Sequence, residues 1–300
     1  MNHPYLSNPA FQPMGVEQAE RHDLVIRAAL DEDIGRGDVT SVALIDADAT
    51  SRAAIVARRE GVVAGLAIAA RVFSLVDPAI EVRPISQDGA RVSPGAVLAT
   101  VSGHARGILT AERVALNFLG RLSGIATLTR QFADAAASAG ARISDTRKTT
   151  PGLRALERYA VRAGGGANHR FGLADEVLIK DNHLEAVGSV AAAVARARAN
   201  APPGIVVEVE CDTLDQVRDA VAAGADAVLL DNMDTETMRA SVAVARGRAV
   251  VEASGGITPA RVAEVAATGV DVISVGALTH SAPALDVALD FAPHAAKARS

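Results

Sequence analysis

The chain has 300 residues, 30 basic and 35 acidic, for a formal charge of −5, and 49% of it is apolar. That mixture excludes disorder as the main state, and the single cysteine, Cys211, excludes a disulfide framework and fits a reducing cytosol. Net acidity argues against nucleic acid as a partner, no apolar run approaches the roughly 18–20 residues of a membrane span, and Met1 to Arg21 lacks the order of a secretory leader, so a cytoplasmic location is expected.

Residues 17–33 predict a helix, with Leu24, Ile26, Ala28 and Leu30 apolar among charges and Gly35 as its stop. Glu32 to Thr40 is Gly-rich and acidic, but a calcium loop needs a Glu twelve positions along, and counting from Asp31 that position is Val42. The stretch is read as a structural turn. Residues 51–103 predict short strands and turns, with turns at Asp88-Gly89 and Ser93-Pro94-Gly95. A biotinyl or lipoyl carrier is excluded there, because no Lys precedes Lys148. Residues 110–137 predict a long helical stretch, bent or divided at Gly120 and Gly124.

Beyond residue 140, apolar β-branched runs alternate with helical stretches. The runs are 141–146, 176–180, 205–210, 227–231, 249–253 and 270–275. Continuous apolar strands alternating with helices predict βαβ units and a buried parallel sheet. Each run ends on a charged residue or Gly: Arg147-Lys148, Lys180, Glu210, Asp231, Ser254-Gly255-Gly256 and Gly276. A β/α barrel builds its active site at such strand ends. The span 116–279 is short of the ~250 residues of a full eight-stranded barrel, so six or seven strands in an incomplete ring are expected.

The chemistry concentrates between Arg147 and Lys180, where seven Arg or Lys face three acids, a net of +4 against −9 for the remainder. Arg154, Arg158 and Arg162 recur every four residues and read as one solvated helix face. Arg147, Lys148, Arg170 and Lys180 stand at strand ends or after the flexible Gly164-Gly165-Gly166, where they can grip an anion. Only three of the 30 basic residues are Lys, so two of them at strand ends are a departure from local habit. Glu210 and Asp231 can serve Mg²⁺ or ribose hydroxyls, or pair with Lys180 across the barrel mouth. Ser254-Gly255-Gly256 and Gly276 suit phosphate, and His280 is near enough in sequence to join them; His183 stands isolated. No phosphate-binding P-loop, dinucleotide fingerprint or zinc spacing occurs. A phosphosugar donor and a dicarboxylate acceptor together satisfy this set.

Three stretches carry a family resemblance: Asp145-Thr146-Arg147-Lys148-Thr149-Thr150-Pro151-Gly152-Leu153-Arg154, Gly164-Gly165-Gly166-Ala167-Asn168-His169-Arg170, and Leu178-Ile179-Lys180-Asp181-Asn182-His183. They resemble the nicotinate-nucleotide pyrophosphorylase (carboxylating) family, also called quinolinate phosphoribosyltransferase. The resemblance extends through Glu32–Thr40, Ala111–Asn117, Glu208–Glu210, Leu230–Asn232, Glu252–Gly256 and Ser274–His280. It implies an α/β protein, an N-terminal α/β sandwich over 1–115 and an open β/α barrel over 116–280, with a C-terminal helix over 281–300 joining the sandwich. It implies transfer of phosphoribose from phosphoribosyl pyrophosphate to quinolinate with Mg²⁺, giving nicotinate mononucleotide, pyrophosphate and CO₂. Arg147, His169, Arg170 and Lys180 would grip the acceptor carboxylates. Arg113 would reach the partner's site in a homodimer. Lys148, Ser254 to Gly256, Gly276 and His280 would hold phosphate. Glu210 and Asp231 would address ribose and Mg²⁺, and Lys148, Lys180, Glu210 and Asp231 would form the catalytic set. Three rivals remain at this level: a nicotinate-specific transferase, a metal-oxyanion-binding relative, and a Schiff-base aldolase using Lys180.

Overall fold

The computed structural model describes residues 10–291. The chain forms two compact units. Among the described residues, one comprises 11–128, 151–164 and 282–291, and the other 129–150 and 165–281. No helix among them is long and apolar enough to cross a membrane.

The first unit opens with α1 (Val16–Glu20), α2 (Asp23–Ile34) and α3 (Val39–Leu44). The single helix expected over 17–33 is therefore two, parted by a turn at Arg21-His22. Of the acidic stretch Glu32 to Thr40, residues 35–38 are the expected turn, and its two ends belong to α2 and α3. Gly35 and Gly37 take φ of +52° and +125°, and Asp38 caps α3 by accepting from the Ser41 N–H at 2.9 Å. Next come β1 (Thr50–Ala57), β2 (Gly61–Val62), α4 (Leu66–Val76), β3 (Glu81–Pro84), β4 (Arg91–Val92), β5 (Val97–His104) and α5 (Ala105–Ala136). Helix α4 corrects the expectation of strands and turns alone over 51–103. Its start is held by Asp88, which accepts from the amides of Gly65 and Leu66, a cap from a distant position. Its buried Leu66, Ala69 and Phe73 do recur at helical spacing.

Helix α5 is unbroken, another correction. Gly120 and Gly124 admit the segment 283–285 instead of bending the helix. A Cβ on Gly124 would lie 2.0 Å from the Pro283 carbonyl oxygen, and the Leu285 N–H donates to the Gly120 carbonyl at 2.9 Å.

The remaining elements are β6 (Arg142–Ser144), α6 (Arg154–Ala163), β7 (Val177–Ile179), α7 (Asp181–Val187), α8 (Val190–Asn200), β8 (Val207–Cys211), α9 (Leu214–Ala222), β9 (Ala227–Asp231), α10 (Thr235–Ala245), β10 (Val250–Ser254), α11 (Val262–Ala266), β11 (Val272–Ser274), α12 (Ala277–His280) and β12 (Val287–Phe291). Helix α6 and strand β12 belong to the first unit. There the antiparallel sheet runs β12-β1-β5-β3. Strand β12 corrects the C-terminal helix expected over 281–300. Its register with β1 runs from Ala53↔Phe291 to Ala57↔Val287, an edge that local sequence does not announce. Residues 292–300 of that expectation lie outside the described residues. On α6, Arg154, Arg158 and Arg162 are half-buried rather than fully solvated, and buried Glu157 on the same helix pairs with Arg121 at 2.8 Å.

The second unit is the parallel sheet, in the order β6-β11-β10-β9-β8-β7, with six strands as expected. Strands β6 and β7 are its two edges, so the barrel is open. A lone bridge from Ser144 to Ala167 takes the place of a further ladder. Along β8 and β10, Val207, Val209 and Val251 alternate with Glu208, Glu210 and Glu252. Period-two alternation puts those acids on one face.

Candidate active site

A cavity of about 400 Å³ opens among the C-terminal ends of β6, β9, β10 and β11. Lys148, Asp231, Ser254, Gly255, Gly256, Gly276 and His280, all expected from the sequence, line it together with Thr146 and Asn232. Lys148 is exposed and has no ion-pair partner among the described residues. Its turn is tied to the last loop, because Thr279 Oγ1 donates to the Lys148 carbonyl at 2.7 Å.

Glycine is required at one point of this lining and fits closely at a second. A Cβ on Gly255, whose φ is +92°, would lie 2.2 Å from Asn232 Oδ1. One on Gly276 would lie 3.1 Å from His280 Nε2 and 3.3 Å from Lys148 Cδ. Asn232 is itself left-handed at φ 54°, unlike every other described non-glycine residue. Its Nδ2 donates to Asp231 Oδ2 at 2.8 Å, and its backbone N–H donates to the Ser254 carbonyl at 3.0 Å. The strained residue thus fastens Asp231 to the neighbouring glycine loop.

Lys180 and Glu210 are an ion pair, the alternative foreseen for these strand ends. His183 is explained locally: its Nδ1 accepts the Lys180 N–H at 2.9 Å at the start of α7. Arg113 is exposed on α5 and belongs to the first unit.

Arg170 is buried, and its Nη1 donates to the Glu176 carbonyl at 3.1 Å. Burial, then the nearby charge of Arg147, lowers its pKa. Two guanidinium groups close enough to oppose each other favour an anion between or beside them. His169 is also buried. Its Nε2 lies 3.5 Å from Glu208 Oε2 and 3.4 Å from Glu252 Oε1. Its Nδ1 accepts the Arg170 N–H at 2.8 Å.

Opposing forces act on this ring. Burial pushes its pKa down, but the charge of Glu252 and the nearby oxygens of both glutamates carry it up to about 10. The Arg170 amide opposes protonation, since only an unprotonated Nδ1 can accept it. Burial, then Glu208, also pushes Glu252 toward its neutral form, and burial pushes Glu176 up to about 10. The upward push on the ring depends on an ionised Glu252, a form that burial disfavours, whereas the Arg170 amide contact is directional: Nδ1 is bare and Nε2 carries the ring proton. The ligand atoms of His169, Glu208 and Glu252 lie within 4.8 Å of one another.

Glu176, Glu208, Glu252 and Ser274 were not singled out as site residues from the sequence. A signal existed for three of them. Glu208, Glu252 and Ser274 each stand two residues before a strand-end marker, hence on the same face one step deeper.

The chain matches the family of the quinolinate phosphoribosyl transferase C-terminal domain over residues 125–290, and that of its N-terminal domain over residues 38–123. It is 46% identical over 265 residues to the probable nicotinate-nucleotide pyrophosphorylase (carboxylating) of Synechocystis, covering 87% of this chain and 90% of that relative. It is 46% identical over 272 residues to the nicotinate-nucleotide pyrophosphorylase (carboxylating) of Mycobacterium leprae, covering 89% and 95%. The solved nicotinate-nucleotide pyrophosphorylase of Francisella tularensis superposes with a TM-score of 0.89 at 38% identity, covering 95% of this chain and 100% of that one.

Proposed function

The chain belongs to the quinolinate phosphoribosyl transferase family, and from that premise we propose how its barrel mouth transfers phosphoribose from phosphoribosyl pyrophosphate to quinolinate. The products are nicotinate mononucleotide, pyrophosphate and CO₂, a step in making NAD. The observation that carries the assignment of roles is the cavity where Lys148, two glycine loops, Asp231 and His280 converge.

Lys148, Ser254 to Gly256, Gly276 and His280 receive the phosphates of the donor. Glycine lets the backbone approach an anion closely, and Lys adds a point charge. Arg147, Arg170 and Lys180 receive the acceptor carboxylates. His169, whose ring nitrogens are both engaged within the protein, supports them from beneath. Asp231 is half-buried and opens to the cavity, and hard carboxylate oxygens beside a phosphate site fit Mg²⁺. Glu210 would join it on leaving Lys180. The ion, when bound, supplies positive charge against the departing pyrophosphate.

In the reaction the pyridine nitrogen bonds to the anomeric carbon as the carbon–oxygen bond to pyrophosphate breaks, its electron pair leaving with pyrophosphate. Positive charge develops on the ribose, and Glu210 and Asp231 stabilise it electrostatically. The pyridinium then draws the electrons of the adjacent carbon–carboxylate bond, CO₂ leaves, and that ring carbon takes a proton from water. The cations position the acceptor, and fixed orientation is a large source of rate. Gripping the departing carboxylate equally in ground and transition states would add no rate.

Arg113 acts on the site of a second copy, in a homodimer. The buried, unpaired Cys211 accords with a cytoplasmic enzyme. Purified protein supplied with quinolinate, phosphoribosyl pyrophosphate and Mg²⁺ should yield nicotinate mononucleotide by mass spectrometry together with trapped CO₂. Nicotinate in place of quinolinate should yield none. Product from nicotinate alone would reject the acceptor assignment.

A further inference from the structure

Below the mouth lies a second polar layer with no part in the steps above. Glu208 and Glu252 are fully buried, and Glu208 has no conventional hydrogen bond on either carboxylate oxygen. Glu176 faces Glu208, and Ser274 Oγ donates to Glu252. Carboxylates in a dry interior are costly unless something there uses them.

The His169 ring connects this layer to the mouth. Nε2 points at the two glutamates, at 3.5 and 3.4 Å, and Nδ1 takes the Arg170 amide at 2.8 Å. The His169 backbone N–H donates to Asp145 Oδ1 at 2.9 Å, and Asn168 Nδ2 donates to the other Asp145 oxygen. The backbone leading into Arg170 is therefore held at two successive amides, that of His169 by Asp145 and that of Arg170 by an imidazole whose far end is anchored in the barrel.

We propose that Glu252 and Glu208 are positioning residues for the acceptor pocket, acting through the His169 ring on the backbone that presents Arg170. This rests on the reading that Arg170 holds an acceptor carboxylate. A carboxylate that accepts from an imidazole fixes both its tautomer and its orientation. Here the fixed tautomer leaves Nδ1 with the lone pair that the Arg170 amide needs. Two glutamates on different strands, β8 and β10, hold the ring against rotation in either direction. The Arg170 guanidinium is steadied separately by the Glu176 carbonyl.

The test combines kinetics and ¹⁵N NMR of histidine-labelled protein. Glu252→Leu removes the acceptor, and Glu252→Gln keeps an acceptor oxygen. Loss of the carboxylate behind a metal-binding histidine typically costs about 10- to 100-fold, and the same order is expected of this orienting pair. Glu252→Leu should raise the quinolinate KM by that order and leave the phosphoribosyl pyrophosphate KM unchanged, with Glu252→Gln recovering most of the loss. In the wild type, His169 should show one bare nitrogen, Nδ1, and one protonated nitrogen, Nε2. Both nitrogens protonated would overturn the proposal, as would KM values for both substrates rising together. If Glu252→Leu does not fold, Glu252→Gln and the wild-type spectrum still decide. A folded wild type without turnover would sink the functional reading itself. That result differs from an active wild type whose Glu252 variants keep their quinolinate KM.

Discussion

A methyl group on Gly255 would enter the space of the Asn232 amide and would have to hold a φ of +92°. Left-handed strain on a non-glycine residue costs about 1–3 kcal/mol. Gly255→Ala should lower the urea midpoint accordingly and raise the KM for phosphoribosyl pyrophosphate, because Asn232 steadies Asp231. Asn232→Gly separates the two effects. Glycine accepts that backbone without strain, so the midpoint should hold while turnover falls; unchanged turnover would remove Asn232 from the site. Glu176 gives a pH signature. Burial, then its contacts with Glu208, pushes its carboxyl up to about 10, against about 4.3 for a free Glu. Between those values the native state keeps a proton that the unfolded chain has released. The stability it contributes is fully present below about pH 4.3 and is lost as pH rises toward 10. Glu176→Gln should flatten the fall of the urea midpoint between pH 5 and 9, and an unaltered slope would show that Glu176 is not the group concerned.

On helix α5 two effects of opposite sign meet at Gly124. Ala in place of Gly in a helix interior gains about 1 kcal/mol. The added Cβ would stand 2.0 Å from the Pro283 carbonyl oxygen, and overpacking costs about 1–3 kcal/mol. The clash wins, so Gly124→Ala should melt earlier than wild type, with Gly120→Ala a milder case at 2.9 Å from the Leu285 carbonyl. A rise in Tm for Gly124→Ala would mean that segment 283–285 can move aside. The same helix illustrates what the sequence discloses. Its apolar periodicity is local, and it is visible. The parallel strands are visible for a related reason: burial on both faces makes each a continuous apolar run, ended by the residue that reaches the mouth. The ion pair of Lys180 with Glu210 follows from adjacent strand ends. The His169 floor, the Asp88 cap on α4 and the Pro283 contact on Gly124 each join residues distant along the chain, so no window of sequence contains both halves. Asn232 was legible as part of a motif, but its backbone strain was not.

The whole-molecule prediction concerns the proposed homodimer. If Arg113 serves the partner's site, a mixed dimer of Arg113→Ala with Lys180→Ala has one intact site and one doubly defective site. Random exchange makes half the dimers mixed, so about a quarter of wild-type sites should return from two inactive parents. No recovery after verified exchange would place Arg113 in its own chain's site or outside the reaction.

Strand β12 pairs with β1 although about 230 residues separate them along the chain. A ribosome adding about 5–20 residues per second needs roughly 10–50 s to cover that distance. Throughout that interval the outer edge of β1 is made but uncovered, and an uncovered edge recruits strands from other nascent chains. The first unit is completed only when residues 287–291 emerge. Yield in the cell should therefore depend on chaperone supply during translation more than the stability of the finished enzyme would suggest.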